Sequence, residues 1–286
     1  MKLAYYPGCT QESTAKEFDE SVREVCSILG IELEEIPDWS CCGASSGHNL
    51  DHLLSLALPA RNLVLAQKLG MDVAVACPAC YLRLRTAQHE ISADGGLKQD
   101  VERAIGTGYD VGIRTKHILD ILYHQVGMEN IAHKVVKPLA GLKVVAYYGC
   151  YLVRPAKIVG FDDAENPQIM DELMKALGAE AIDWSYKVDC CGGSLALARS
   201  DIIENLVAKL VNAARQSGAS VIVTACPMCQ ANIDTRQATV EGEKMPILYF
   251  SELMALAFGI EDKKIISWIK RHIVDPLPVL KSVNLM

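Results

Sequence analysis

The sequence predicts an α/β protein built from two duplicated domains, each a small parallel-sheet unit, facing one another around shared sites. Two observations carry this expectation. Ten of the eleven cysteines fall into two copies of one spacing pattern, and within each copy short β-branched runs alternate with helical patterns. In the first copy 31 residues separate Cys9 from Cys41-Cys42, and 34 more lead to Cys77-Pro78-Ala79-Cys80. In the second, 39 separate Cys150 from Cys190-Cys191, and again 34 lead to Cys226-Pro227-Met228-Cys229.

Taken in chain order, strands are expected over 2–6, 31–36 and 72–76, and again over 142–147, 179–183 and 220–225. Helices are expected over 12–29, 50–69, 167–177 and 200–217. The division follows as a first domain over 1–130, a second over 141–260, and a helical tail over 261–286, with MENIAHKVVKPLAG, near 127–140, as connector. Extra length in the second copy includes Phe161-Asp162-Asp163-Ala164-Glu165-Asn166-Pro167, which reads as an inserted loop and a place for specificity. The tail stretch KKIISWIKRHIVDPL spaces Ile265, Ile266, Trp268, Ile269 and Ile273 as on one helix face, suited to capping the core or to docking another protein.

Composition excludes several classes. Half of the 286 residues are hydrophobic and the net charge is -7, with no basic stripe for a nucleic-acid backbone. Lys2-Leu3-Ala4-Tyr5-Tyr6 runs into Pro7-Gly8-Cys9, leaving no room for an export signal, and no apolar stretch reaches the length of a membrane span. A cytoplasmic protein is expected, and there grouped thiols serve metal or redox chemistry more often than disulfides.

The two sets should converge, because Cys9, Cys77, Cys150 and Cys226 all follow strand ends, where open α/β sheets collect ligands. Pro78 and Pro227 suit the first helical position, which places Cys77 and Cys226 at helix N-termini that favour thiolate. Cys26 stands apart in an amphipathic pattern with Val22, Val25 and Leu29 and reads as core packing. Zinc, iron–sulfur clusters and metal-free thiol–disulfide chemistry are all compatible with grouped cysteines. Tetrahedral zinc leaves a fifth thiolate without a role, and adjacent cysteines turn their sulfurs apart, which suits a multi-iron group better. Zinc in one site remains the lesser alternative.

The pattern Cys9…Cys41-Cys42-Gly43…Cys77-x-x-Cys80, repeated as Cys150…Cys190-Cys191-Gly192…Cys226-x-x-Cys229, resembles the CCG-domain family, in particular its branch of B-type heterodisulfide reductase subunits. The likeness spans about residues 1–250 and includes GCYLVRP and TACPMCQANID. The resemblance implies that each five-cysteine set (Cys9, Cys41, Cys42, Cys77 and Cys80; Cys150, Cys190, Cys191, Cys226 and Cys229) holds a noncubane [4Fe-4S] cluster. It implies that a small-molecule disulfide, CoM-S-S-CoB or a related one, is reduced between them to two thiols. It also implies two partners of heterodisulfide reductase type as the electron source, a C-type protein with cubane iron–sulfur clusters and an A-type flavin protein. The same family contains electron-transfer subunits of other oxidoreductases without disulfide chemistry, which is the alternative reading.

Three further residues are candidates. His48 follows the first CCG and is a possible proton donor. Tyr151 stands directly after Cys150, where a pocket wall is expected. Arg154 is suited to an anionic substrate group.

Overall fold

The structure, a computed structural model, describes residues 1–44, 47–110, 112–196 and 198–286. Two four-stranded, wholly parallel sheets organise it, ordered β2-β1-β3-β4 and β6-β5-β7-β8. Their strands are β1 (Lys2–Tyr6), β2 (Glu32–Glu35), β3 (Val73–Val75), β4 (Thr115–His117), β5 (Lys143–Tyr147), β6 (Glu180–Ala181), β7 (Val221–Thr224) and β8 (Ile247–Tyr249). Both sheets share one order, so the duplication seen in the cysteines extends to the topology.

The six expected strands form, and each sheet gains a fourth, β4 and β8, that the residue pattern hides. Both are three residues long, and β4 reads Thr115-Lys116-His117. Its place comes from tertiary pairing with β3, where Val75 lies opposite His117.

Crossover helices cover the sheets: α1 (Lys16–Ile28), α2 (His52–Leu69), α3 (Pro78–Ala93), α4 (Gly95–Ile105), α5 (Ile169–Ala176), α6 (Ser200–Gln216) and α7 (Pro227–Arg236). Helix α1 begins four residues later than expected. Ala15 N–H bonds to Thr10 O (2.9 Å) and the Ser13 hydroxyl donates to Cys9 O (2.8 Å), so residues 10–14 form a turned segment behind the first cysteine. Cys26 lies on the buried face of α1 beside Val22 and Val25, and burial pushes its thiol up to about 12.

After β8 come α8 (Phe250–Ala257), α9 (Asp262–Ile269) and α10 (Leu277–Ser282), and these close the molecule back onto its first half. Phe18 of α1 stacks on Tyr249 with ring centroids 4.2 Å apart, and Ser21 shares a hydrogen bond with Ser251 (2.7 Å). Trp268 is fully buried and its indole donates to Glu20 (2.7 Å). Ile265 and Ile269 are buried with it while Ile273 is exposed, so the apolar stripe of the tail caps the core of this chain. The connector is tied down as well, since Val136 and Lys137 N–H groups both bond to Ala257 O (2.9 Å each).

Two buried polar knots hold the strand ends that carry the cysteines. In one, the Lys187 ammonium lies 3.0 Å from Asp171 and 3.0 Å from Asp183, and donates to Pro167 O. The Tyr148 hydroxyl donates to Asp171 (2.7 Å), and Lys187 O accepts from the N–H groups of Tyr148 and Gly149, the two residues before Cys150. In the other, His272 bonds to Glu252 (2.9 Å) and Gln230 (3.0 Å), and Asp234 accepts from Ile273 and Val274 N–H groups. Gln230 and Asp234 sit on α7 directly after Cys229, so the tail is pinned to the helix bearing the second CxxC.

Replacing Lys187 by Met leaves Asp171 buried without its cation. Unfolding by urea should show a loss of about 3 kcal/mol, of the size seen when one partner of a buried pair is removed. The second knot sets a pH dependence. Burial alone would lower His272, but the charge and hydrogen bond of Glu252 override it and raise it from 6.5 to about 9. His117 is pushed by burial from 6.5 to about 3, against the pull of its bond to Ala76 O. The His272 contribution is complete below pH 6.5 and lost as pH rises to 9; the His117 contribution is lost as pH falls below 6.5. Stability should therefore peak near pH 6.5 and decline on the alkaline side by on the order of 3 kcal/mol. H272Q should flatten the alkaline limb alone.

Candidate functional site

Parallel strands deliver the upstream and CxxC cysteines to the same edge of each sheet. Tyr6 of β1 pairs with Val75 of β3, and Cys9 and Cys77 follow a few residues on; Tyr147 of β5 pairs with Thr224 of β7, followed by Cys150 and Cys226. Cys77 and Cys226 are the N-caps of α3 and α7, each with proline at the first helical position. The CCG segments come in from the loops after β2 and β6.

The sulfurs of each set come together. Cys42 and Cys80 lie 3.4 Å apart, as do Cys191 and Cys229, at the same place in the two repeats. Gly43 N–H donates to Cys41 (3.4 Å), Gly192 N–H to Cys190 (3.3 Å) and Gly193 N–H to Cys191 (3.3 Å). These contacts order the thiols into donors and thiolates. Hydrogen bonds from Cys41 and Cys80 hold Cys42 well below the usual thiol range, helped by the nearby Arg83 charge. The bond from Cys80 and the α3 N-terminal N–H groups lower Cys77 against the cost of burial. In the second set the bond from Cys150 lowers Cys190 to about 6, and the bond from Cys229 lowers Cys191. Cys41, Cys80, Cys150 and Cys229 are pushed up in exchange, as the hydrogen-bond donors of their pairs.

A matched pair of tyrosines, whose place in the sequence suggests strand packing, positions these segments. The Tyr6 hydroxyl donates to Ser40 O (2.7 Å) and the Tyr147 hydroxyl to Asp189 O (2.6 Å), the carbonyls directly before each double cysteine. Each ring meets a tryptophan edge-on, Trp39 at 5.4 Å and Trp184 at 6.2 Å. The repeated AYY and DWS stretches are visible in the sequence, but their hydrogen bond across 34 and 42 residues is not. Asn62 adds two bonds to Ser40, and Asn232 donates to Cys191 O (2.7 Å).

The donor sets fit an iron–sulfur group. Ten soft sulfur ligands are available, and none is in a disulfide. Backbone passes them closely: a Cβ on Gly8 would lie 2.9 Å from the Cys80 sulfur, and one on Gly149 would lie 3.1 Å from the Cys229 sulfur. Both glycines have positive φ, so the same residue type meets two demands. Among the described residues, no three His, Cys, Asp or Glu groups gather about one ion-sized point.

The two sets open on separate spaces. Cys9, Cys41, Cys42, Cys77 and Cys80 border a cavity of about 340 Å³ whose far wall is formed by Pro227, Met228 and Ala231 of the second half. Cys150, Cys190, Cys191, Cys226 and Cys229 border a space of about 20 Å³, closed by Pro78, Tyr148, Tyr151 and Ser194. Tyr151 is thus at the second set, half-buried, and burial raises its hydroxyl first, then the Cys150 charge, while the Arg83 charge opposes this. His48 sits in a short helix, Gly47–Leu50, with a buried Nδ1 that has no partner among the described residues, and it borders neither space. Arg154 pairs with Glu165 (2.7 Å) at the surface. The inserted loop turns away too: Asp162 accepts from the first N–H groups of α5, and Phe161 packs edge-on against His117 of the first half. Arg83 carries no sequence signal, because nothing in its spacing marks a cation whose charge lowers both Cys42 and Tyr151.

Comparison with known proteins gives a consistent placement. A family profile for the cysteine-rich CCG domain matches residues 3–85 and 144–234, the two repeats. An 8-methylmenaquinol:fumarate reductase membrane anchor subunit of Wolinella succinogenes is 34% identical over 270 residues, covering 92% of this chain and 94% of that one. The B-type subunit of the ferredoxin/F420H2-dependent CoB-CoM heterodisulfide reductase of Methanosarcina acetivorans is 31% identical, covering 90% and 89%. A protein of Archaeoglobus profundus, named as like the B-type subunit of heterodisulfide reductase, is 29% identical, covering 93% of each. Among solved structures, a protein of Helicobacter pylori described as hypothetical superposes with a TM-score of 0.72 at 13% identity, over 96% of this chain and 52% of its own. That likeness is one of fold, and this chain spans about half the length of that structure. With both repeats matched and relatives aligned along nearly its whole length, this protein belongs to the CCG cysteine-rich domain family.

Proposed function

We propose that this chain is the iron–sulfur subunit of a reductase complex, that its ten motif cysteines hold two iron–sulfur clusters, and that a small disulfide is reduced to two thiols in the cleft beside them. The observation that carries the reading is the pairing of two five-thiol sets at the strand ends, the first opening on a cavity walled by the second half. The relatives named as B-type subunits of heterodisulfide reductase support it. Cys9, Cys41, Cys42, Cys77 and Cys80 hold one group, and Cys150, Cys190, Cys191, Cys226 and Cys229 the other. When bound, such groups supply one-electron chemistry, and two of them match the two electrons a disulfide takes up with two protons as its S–S bond breaks.

The chain's own residues do the rest. Gly43, Gly192 and Gly193 N–H groups stabilise charge on sulfur. The Tyr151 hydroxyl, beside the second set and with its proton held more firmly by burial, holds a proton for one leaving thiolate. The Arg83 charge lowers the Cys42 thiol and the Tyr151 hydroxyl. Electrons come from partner chains of heterodisulfide reductase type, a C-type protein with cubane iron–sulfur clusters and an A-type flavin protein. A reducing cytoplasmic setting suits eleven free cysteines, and no described helix is long and apolar enough to cross a membrane.

A second reading is favoured by the Wolinella relative, whose name ties it to fumarate and a menaquinol. In that reading the clusters pass electrons within a different reductase complex and no disulfide is cleaved.

Anaerobic metal and sulfide analysis should give about eight irons with matching sulfide per chain. C42S and C191S should each lower the iron by about half while the other set keeps its spectrum. A folded protein that carries zinc or no metal sinks the assignment. Reduced viologen should then be oxidised by the loaded protein on addition of a disulfide, and Y151F should slow this about tenfold or more with its pH profile altered. Iron-replete protein that oxidises no viologen with any disulfide leaves the second reading in place.

A further inference from the structure

Two histidines are buried among the described residues, and one stands behind each five-thiol set. His117, at the end of β4, packs its ring edge-on against Tyr81, the residue directly after Cys80, at 5.8 Å. His272 bonds to Gln230, the residue directly after Cys229, at 3.0 Å. The two rings differ in what they can hold. Nε2 of His117 meets Ala76 O (2.6 Å), which accepts a hydrogen, and Nδ1 meets Leu119 N–H (3.2 Å), which donates one. These partners fit a single neutral tautomer, because a charged ring would set a second hydrogen against the Leu119 N–H. Nε2 of His272 lies 2.9 Å from the Glu252 carboxylate, and its Nδ1 faces an amide, which can turn either its nitrogen or its oxygen to the ring. This imidazole fits its surroundings with one proton or with two.

The charges around His272 favour the second proton. It faces Glu252 from α8, Asp234 from α7 and Glu17 from α1, and Glu17 is itself a buried carboxyl that burial raises. Arg271, 3.7 Å from Glu17, is the cation beside them and reaches Glu20 at the surface (3.2 Å). Three carboxyls thus share this region with one arginine and the histidine. The Tyr249 ring lies 6.0 Å from that of His272, and its hydroxyl is pushed up by burial first, then by the charges of Glu17, Glu252, Cys226 and Cys77. One buried cluster is therefore within electrostatic reach of the carboxylates and of the sulfurs.

We propose that His272 is a redox-linked proton site for the second set: the proton it shares with Glu252 offsets the charge of an electron taken up by the group on Cys150, Cys190, Cys191, Cys226 and Cys229. This rests on the reading that those thiols hold an iron–sulfur group. Electron and proton then favour one another, since each makes the other's addition easier by the same factor. Loss of the proton at alkaline pH makes the second group harder to reduce. The first group, backed by a histidine that stays neutral, lacks this dependence, so pH changes the gap between the two potentials.

The test is redox titration of the anaerobically loaded full chain, followed by electron paramagnetic resonance. C42S keeps the second group and C191S the first, so each potential is read alone. In C42S the potential should be level up to about pH 9 and then bend downward. Above the bend one proton is drawn from solvent for each electron, with a limiting slope of about 59 mV per pH unit. H272Q in the C42S background should lower the potential at neutral pH and remove the bend. E252Q, which takes away the carboxylate that raises His272, should bring the bend down from about pH 9 toward 6.5. In C191S the potential should stay nearly level over the same range. A level potential in C42S, or a bend left in place by both H272Q and E252Q, would overturn the assignment. Protein that takes up no iron overturns this inference and the proposed function together, whereas iron-bearing protein without the bend overturns this inference alone. The bend in protein that oxidises no viologen with any disulfide upholds the proton site and contradicts the disulfide chemistry.

Discussion

Everything in this molecule depends on crowding five sulfurs at the end of each parallel sheet without a covalent bond among them. Thiolates at 3.4 Å in a buried setting repel one another, so each set calls for protons or a cationic group shared among its sulfurs, with backbone N–H groups taking up part of the charge. The main chain must also run within contact distance of the sulfurs, which is why Gly8 and Gly149 stand one residue before Cys9 and Cys150. Parallel strands supply the geometry, since all their carboxyl ends face one way. The helices that start at Pro78 and Pro227 then aim their N-termini at the same places.

The remaining structure keeps that arrangement rigid. Tyr6 and Tyr147 hydrogen-bond to the carbonyl before each double cysteine and fix it. Lys187 and its two aspartates hold the turn before Cys150, and His272 with Glu252 and Gln230 anchors the helix after Cys229. Contacts between the halves are extensive: Phe18 on Tyr249, Ser21 with Ser251, and the Tyr81 hydroxyl bonded to Val159 O. Two duplicated units therefore share a continuous core, and the spaces between them are shaped by both.

Much of this is legible in the residues. The cysteine spacing announces the duplication, and alternating strand and helix patterns announce parallel sheets, because both signals are local and repeated. Strands β4 and β8 are hidden because three residues carry too little pattern, and pairing with a neighbour decides them. The paths of long side chains are also beyond spacing: Arg154 follows Cys150 closely yet reaches out to Glu165, while Arg83, with no motif to mark it, is near enough for its charge to lower the Cys42 thiol. His48 and the loop over 161–167 show the same limit, since proximity to CCG or to an insertion says nothing about which way a segment turns.

Each five-cysteine set, in the reading proposed above, holds an iron–sulfur cluster. The most direct test is anomalous diffraction at the iron edge from anaerobically grown crystals. Two separate groups of iron peaks are expected, one bonded to Cys9, Cys41, Cys42, Cys77 and Cys80 and the other to Cys150, Cys190, Cys191, Cys226 and Cys229. Well-ordered cysteines with no iron signal, or a single zinc peak in either set, would contradict it.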